Sequence, residues 1–170
     1  MNINIIDNFL PDYYFKPLQS RLLGEYFPWF HNEYISYDDD PKNKTYQFVH
    51  TLYDIKPRYN GETDCYSLIR DQLNLIRSTL KVTKLYRIKA NLRPRSFFNR
   101  SSGGYHTDGY DCSYTSVYYI DTNNGYTKFK NGPKVKSVEN RMVVFPSHVE
   151  HQGYTCSDTL KRVVLNFNYD

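Results

Sequence analysis

A histidine and an aspartate that could share a metal ion open one of the most strand-like segments of the sequence. His106 and Asp108 are separated by one residue within GGYHTDGYDCSYTSVYYI, residues 103–120. On an extended strand, side chains two positions apart point to the same face. A neutral imidazole and a carboxylate on one face are suitable ligands for a divalent metal. On its own the pair is weak support, because such pairs are common and usually lie on the surface.

Two histidines further along the chain could complete a metal site. His148 and His151 lie in FPSHVEHQG, which begins inside the apolar segment MVVFP. That segment reads as a buried strand ending at Pro146, so the residues after it would lie at the mouth of a barrel. Two histidines and one carboxylate are the ligand set of mononuclear non-haem iron(II) centres, which keep three positions open for other ligands.

An arginine follows these histidines on the last predicted strand. Arg162 lies eleven residues beyond His151, in LKRVVLNF, where Val163, Leu165 and Phe167 would share the opposite face. If that apolar face packs on helices, Arg162 points into the barrel. A buried guanidinium needs a partner, and a substrate carboxylate can pair with it through two parallel hydrogen bonds.

Strands in the second half of the chain must position these residues. Their alternating or apolar composition and the tight turns between them, such as TNNG and NGPK, predict six strands. The six segments are residues 84–92, 113–121, 126–130, 135–138, 142–146 and 159–170. Two further strands are predicted at 2–10 and 45–54, and the polar segment 33–44 should be a loop.

Two helices are predicted in the first half of the chain. The first begins near Pro11, which suits a first helical turn, and should break or start late at Pro17. The second covers residues 61–80. Its apolar stripe contains Leu68, Ile69, Leu73, Ile76 and Leu80. These elements predict a mainly β protein with N-terminal helices, of the α+β class, whose helices pack on an antiparallel barrel or sandwich.

The composition fits one domain, residues 1–170, with supporting elements in about 1–80 and a strand core in about 84–170. The net charge of +4 is scattered, with no run of five basic residues, which argues against a nucleic-acid partner. The apolar runs are too short for a membrane span, and the first residues do not read as a signal peptide. Three widely spaced cysteines read as free thiols in a reducing cytoplasm.

The order of these features resembles the 2-oxoglutarate- and iron(II)-dependent oxygenases, in their prolyl 4-hydroxylase-like branch. YHTDGYDCSYTSVYYIDTNNGYTKF is similar to the HxD segment of that branch and the strand after it, and ENRMVVFPSHVEHQG to its distal-histidine segment. The resemblance is close over about residues 85–168. The small size of the chain and its NNGYTKF segment also resemble those of oxygenases from marine phages. A phage protein would lie in the cytoplasm of its host.

This resemblance implies a double-stranded β-helix core, the jelly-roll or cupin-like fold, and a role for each candidate residue. It implies that His106, Asp108 and His151 bind iron and form the catalytic centre. It implies that Arg162 and Tyr119 bind the distal carboxylate of 2-oxoglutarate. Thr115 shares the strand face of Tyr119 and could line the same cosubstrate pocket. The spacings favour His151 over His148, which would then lie at the rim of the pocket.

The implied activity is hydroxylation of an unactivated C–H bond with Fe(II), 2-oxoglutarate and O2, and with ascorbate as a further reductant. The leading substrate is a peptidyl residue such as proline. A small molecule or a nucleobase is an alternative, and so is a metal-binding β-barrel without catalysis. The basic, aromatic segment RPRSFFNR, residues 93–100, could contact the substrate or act as a lid.

Overall fold

Two antiparallel sheets form the framework of the protein, whose computed structural model describes residues 2–33, 46–56, 61–101 and 103–170. The large sheet has eight strands in the order β1-β9-β6-β11-β5-β3-β2, with β4 paired to β3. The small sheet has three strands in the order β10-β7-β8. The strands are β1 (Asn4–Ile6), β2 (Phe30–Asn32), β3 (Gln47–Asp54), β4 (Gly61–Glu62), β5 (Leu85–Pro94), β6 (Tyr114–Tyr119), β7 (Tyr126–Phe129), β8 (Lys134–Lys136), β9 (Arg141–Pro146), β10 (His151–Tyr154) and β11 (Lys161–Tyr169).

The alternation of side chains along the strands divides the core into two clusters. In β11, Val163, Leu165 and Phe167 pack with the apolar residues of the helices. Val164, between them, belongs to a second cluster that fills the space between the two sheets. That second cluster contains Val117, Tyr119, Phe129, Val135, Val143, Phe145, Val149 and Val164. The two faces of the large sheet are therefore buried against different layers, which fixes the direction of each side chain in β6 and β11.

Helices α1 (Asp12–Leu23) and α2 (Arg70–Thr79) supply much of the layer on the first face. The predicted break at Pro17 is wrong, because α1 continues through this residue. Proline removes the hydrogen bond to the carbonyl four residues earlier. That carbonyl belongs to Tyr13, whose residue is 83% exposed, so water can take the place of the missing N–H.

The predicted helix over residues 61–80 is wrong in its first half. A 3-10 helix, Asp64–Ile69, precedes α2, and β4 comes before it. Leu68 is 51% exposed and is not part of the buried stripe, whereas Leu73 and Ile76 are fully buried. A 3-10 helix has three residues per turn, so it rotates Leu68 away from the face that the α-helical period predicts.

All six strands predicted in the second half are present, with small shifts of their ends. The predicted strand at 2–10 is shortened to β1, and β2, β4 and β10 were not predicted. β10 is short and partly polar, and it is a strand because it pairs with β7 along four residues. The loop predicted at 33–44 lies outside the described residues except for Glu33. No helix in the described ranges is long and apolar enough to cross a membrane.

Candidate active site

Three side chains that can bind a metal converge where the large sheet faces the small sheet. One ligand atom from each of His106, Asp108 and His151 lies within 4.8 Å of the others. The backbones of the two histidines are joined by two N–H···O bonds, of 3.1 and 3.0 Å. This isolated bridge fastens the loop after β5 to the first residue of β10. It brings together ligands that are 45 positions apart in the sequence.

Backbone carbonyls orient both imidazoles. Nδ1 of His106 lies 3.2 Å from the Gly104 carbonyl oxygen. Nδ1 of His151 lies 3.3 Å from the carbonyl oxygen of Val149. A carbonyl accepts a hydrogen bond, so Nδ1 carries the proton in each ring and the lone pair of Nε2 is left for a metal. The two rings have the tautomer that metal binding requires.

The third candidate ligand, Asp108, is held by two cationic or polar neighbours. Its Oδ2 accepts a salt bridge from Nη2 of Arg87 at 3.1 Å and a hydrogen bond from Nδ2 of Asn168 at 3.0 Å. Both contacts use the same oxygen, so Oδ1 is available to a metal. Burial alone would raise the pKa of Asp108, but Arg87, His151 and Asn168 hold it well below its usual value. Asp108 is therefore ionised at neutral pH.

The two distal histidines have different surroundings. His151 is 4% exposed, and burial lowers its pKa, so its ring is neutral at physiological pH and able to bind a metal. His148 is exposed in the turn before β10 and is not part of the metal-ligand cluster. The structure thus brings His151 to the other two ligands and leaves His148 at the surface.

Arg162 is buried between the two sheets, where hydroxyl groups accept its hydrogen bonds. Its Nε donates to Oγ of Ser137 at 2.7 Å, and its Nη2 donates to Oγ1 of Thr127 at 3.3 Å. Its guanidinium carbon lies 5.3 Å from the ring centre of Tyr119, whose hydroxyl donates to Oγ1 of Thr127 at 2.8 Å. Within the described residues no carboxylate forms a salt bridge with Arg162.

Gly125, in the turn before β7, lets the Arg162 side chain pass. A Cβ atom added to this glycine would lie 2.7 Å from Cδ of Arg162 and 3.0 Å from the carbonyl oxygen of Tyr154. Real Cβ atoms are not found so close to other atoms. The glycine of the NNGYT turn is therefore required by the position of the arginine.

Comparison with solved structures identifies the architecture. A 2OG-Fe(II) oxygenase family oxidoreductase from Burkholderia pseudomallei matches with a TM-score of 0.66 and 14% identity, covering 99% of this chain and 84% of that one. A prolyl hydroxylase from Trichoplax adhaerens, in complex with a peptide fragment of the hypoxia inducible factor oxygen degradation domain, matches with a TM-score of 0.61 and 12% identity, covering 99% and 83%. The prolyl-4-hydroxylase of Pseudomonas putida matches with a TM-score of 0.59 and 19% identity, covering 99% and 92%.

The fold is that of the 2-oxoglutarate- and iron(II)-dependent oxygenases. The resemblance read from the sequence is confirmed at this level, and the matching structures include bacterial and animal prolyl hydroxylases. Neither a protein-family model nor a curated protein sequence matches the chain. The likeness is one of fold, because the identities are low, and the assignment of each residue depends on the geometry described above.

Thr115 is linked to the candidate carboxylate ligand Asp108 through Asn168. Its Oγ1 accepts a hydrogen bond of 3.0 Å from Nδ2 of Asn168, the same nitrogen that donates to Asp108. Thr115 is fully buried and lies directly opposite Asn168 in the β6–β11 pair. Its closest link is thus to the metal end of the site, whereas Tyr119 lies beside Arg162.

Sequence reasoning missed the residues that hold Asp108. Arg87 lies on β5 directly opposite Asn168 of β11, so the two strands deliver one donor each to the carboxylate. The alternation of Arg87, Lys89, Asn91 and Arg93 along LYRIKANLRP was the available signal, since it places four polar side chains on one face of a strand. That alternation alone could not show which face of strand β5 lies toward the candidate metal ligands.

The basic, aromatic segment 93–100 is fastened to the loop after β10. Oγ of Ser96 lies 2.7 Å from Oγ1 of Thr155, and the N–H of Arg100 donates to the same Oγ1 at 2.8 Å. Two aromatic rings of the segment still face outward, with Phe97 94% and Phe98 74% exposed. These contacts tie the segment to the loop after β10 and leave its two phenylalanine rings at the surface.

Proposed function

We propose that the protein is a 2-oxoglutarate- and Fe(II)-dependent dioxygenase that hydroxylates an unactivated C–H bond. The observation that carries this proposal is the convergence of His106, Asp108 and His151 within 4.8 Å. Each presents an atom free to bind a metal: Nε2 of the two imidazoles and Oδ1 of the carboxylate. These three residues would hold the iron, which supplies the activation of O2 when bound.

The role proposed for Arg162 is to bind the distal carboxylate of 2-oxoglutarate. A buried guanidinium that has hydroxyl partners and forms no salt bridge in the described part of the chain is ready to pair with an anion. Tyr119 lies beside it and would contact the same carboxylate. The low-dielectric surroundings strengthen this pairing and keep water from the site.

The finer proposal is that the substrate is a peptidyl residue such as proline. The Trichoplax adhaerens structure with this fold contains a peptide fragment. The outward rings of Phe97 and Phe98 and the exposed Arg95 and Arg100 would offer an extended peptide apolar and cationic contacts.

Anaerobic titration with iron(II) and 2-oxoglutarate tests the proposed function. A weak charge-transfer band in the visible region is expected in the wild type and should be lost in His106→Ala and His151→Ala. His148→Ala is the matched control and should keep the band. If metal binds without the band, the chain is a metal-binding β-barrel that does not use this cosubstrate.

Turnover assays test the substrate class. Succinate is measured with peptides, free amino acids and oligonucleotides added separately. Stimulation by peptides alone supports the peptidyl substrate. If free amino acids or oligonucleotides stimulate succinate formation instead, the peptidyl substrate is rejected but the oxygenase function stands.

A further inference from the structure

The inward face of strand β5, which forms one wall of the candidate active site, carries a lysine. Ile88 and Ala90 are fully buried in the cluster that contains the helices. Lys89 lies between them, so its side chain points to the opposite face. That is the face from which Arg87 reaches Asp108. Because Arg87 and Lys89 are neighbours on this face, Lys89 lies close to the candidate metal ligand Asp108.

The ammonium of Lys89 lacks a close partner in the described part of the chain. No hydrogen bond or salt bridge joins it to another described side chain. Its neighbour across the β5–β11 pair is Asn166, whose buried Oδ1 also has no hydrogen-bond partner among the described residues. Directly opposite Lys89, Asn166 thus presents a buried acceptor without a partner among the described residues, and a buried polar atom of this kind normally has one.

The carboxylates closest to Lys89 are already engaged. Asp108 accepts from Arg87 and Asn168 through Oδ2. The buried Asp54 accepts from the hydroxyl of Tyr110 at 2.6 Å and from the N–H of Lys56 at 2.9 Å.

The ammonium charge of Lys89 therefore remains available for an incoming ligand. Burial and, after it, the charge of Arg87 lower the pKa of Lys89 to about 8, so the ammonium is still mostly protonated at neutral pH. A bound divalent metal would add further positive charge to this wall. The wall thus favours a negatively charged ligand.

We propose that Lys89 binds a carboxylate of the substrate, with Asn166 accepting a hydrogen bond from an N–H group of the same molecule. This rests on the proposed oxygenase function and names its substrate class: a carboxylate-bearing compound, either a free amino acid or a peptide with an acidic residue near the reacting one. Lys89 is separate from the proposed cosubstrate anchor, which is Arg162 with its hydrogen-bond partners. Asn166, beside it, lies four positions from Arg162 on β11, about 13 Å at the usual rise of a strand.

Matched pools of compounds that differ by one charge test the proposal. The first pair is a pool of free amino acids and the pool of their amides. The second is a pool of acetylated tetrapeptide amides with glutamate at one fixed position and the same pool with glutamine there. Binding of each pool to the Mn(II)- and 2-oxoglutarate-loaded protein is measured by equilibrium dialysis, and succinate formation is measured with the Fe(II) protein.

At least one anionic pool should bind at least tenfold more tightly than its neutral counterpart. Preference within the first pair identifies a free amino acid, and preference within the second identifies an acidic peptide. Lys89→Met should abolish the preference and Lys89→Arg should retain part of it. The control Lys128→Met removes the same charge from an exposed position of β7 and should leave the preference unchanged.

Two results would overturn the assignment of Lys89. One is equal binding within both pairs, including no binding at all. The other is a loss of 2-oxoglutarate affinity of more than tenfold in Lys89→Met, which would place Lys89 at the cosubstrate. The charge-transfer band of the wild type is recorded first. If the band is present, the proposed oxygenase function stands whatever the binding of the pools. If the band is absent, that function is rejected independently of Lys89.

Discussion

Asp108 shows how the site keeps a carboxylate ionised in a buried position. Its side chain is 8% exposed and that of its partner Arg87 is 13% exposed. Removing one member of a buried pair leaves the other charge without compensation and usually destabilises a protein by about 3–5 kcal/mol. Each member of the pair is therefore needed by the other in the metal-free fold.

Asp108→Ala should abolish iron-dependent turnover and destabilise the metal-free protein by about 3 kcal/mol, because Arg87 loses its partner. Metal binding is measured by equilibrium dialysis and stability by urea unfolding. The double variant Asp108→Ala with Arg87→Met is the control and should recover part of the stability but no metal binding. Full turnover in Asp108→Ala would reject the proposed iron ligands.

Asn168 is a positioning residue for the carboxylate, and its removal should weaken metal affinity. Asn168→Leu should lower the affinity by roughly 10–100-fold, the range found when a partner of a metal ligand is lost. Thr115→Val removes only the second hydrogen bond of Asn168 and should have a smaller effect. Equal metal affinity in all three proteins would show that the position of Asp108 depends on Arg87 alone.

At the scale of elements, the turn between β6 and β7 and the strand β11 build the proposed cosubstrate anchor together. β11 places Arg162 between the sheets, and β7 and the segment after β8 supply Thr127 and Ser137. Gly125 leaves the space in which the arginine lies. The anchor depends on four parts of the chain that meet only in the folded protein.

Arg162→Ala should weaken 2-oxoglutarate binding by about 2–4 kcal/mol, as expected for the loss of one partner of a desolvated ion pair. The dissociation constant is measured by anaerobic titration. Arg162→Lys keeps the charge but not the two parallel hydrogen bonds, and should lie between the wild type and the alanine variant. An unchanged constant in Arg162→Ala would assign the cosubstrate to another residue.

Gly125→Ala should weaken 2-oxoglutarate binding without changing metal affinity, because the new methyl group would displace the Arg162 side chain. Gly104→Ala is the matched control, since a Cβ atom there would have no heavy atom within 4 Å. Both constants are measured in both variants. Equal cosubstrate affinity in the two variants would mean that Arg162 adjusts without loss.

At the scale of the whole molecule, the candidate metal ligands connect the two sheets. His151 begins β10 of the small sheet, and Asp108 is tied to β5 and β11 of the large sheet through Arg87 and Asn168. A ligand that binds only the folded state stabilises it in proportion to the logarithm of its concentration. A bound metal should therefore stabilise the contact between the sheets.

Mn(II), which does not initiate turnover, should raise the melting temperature of the wild type. At a concentration one hundred times its dissociation constant the stabilisation is about 2.7 kcal/mol. Differential scanning calorimetry of the wild type, His151→Ala and His148→Ala measures this effect. His151→Ala should show no rise and His148→Ala should match the wild type, whereas a rise in His151→Ala would place the metal elsewhere.

Local patterns in the sequence predicted the six strands of the second half of the chain, the side-chain alternation that turns Arg162 away from the helices, and the short set of candidate ligands. They failed at Pro17 and at residues 61–69, where the choice between helix, break and 3-10 helix depends on solvent access and packing. They also missed β10, which is a strand because of its partner β7. These failures share a cause, because each depends on contacts outside the local segment.

The sequence by itself determined which residue types were available at the site: the HxD pair, two histidines after β9, and one arginine on the last strand. The spacings also favoured His151 over His148, and the structure brings His151 to the pair. Only the tertiary structure decided that Arg87 and Asn168 hold Asp108 and that Lys89 faces the same wall. Those choices join strands that are far apart along the chain, and their register is set by packing of the sheets and helices rather than by local composition.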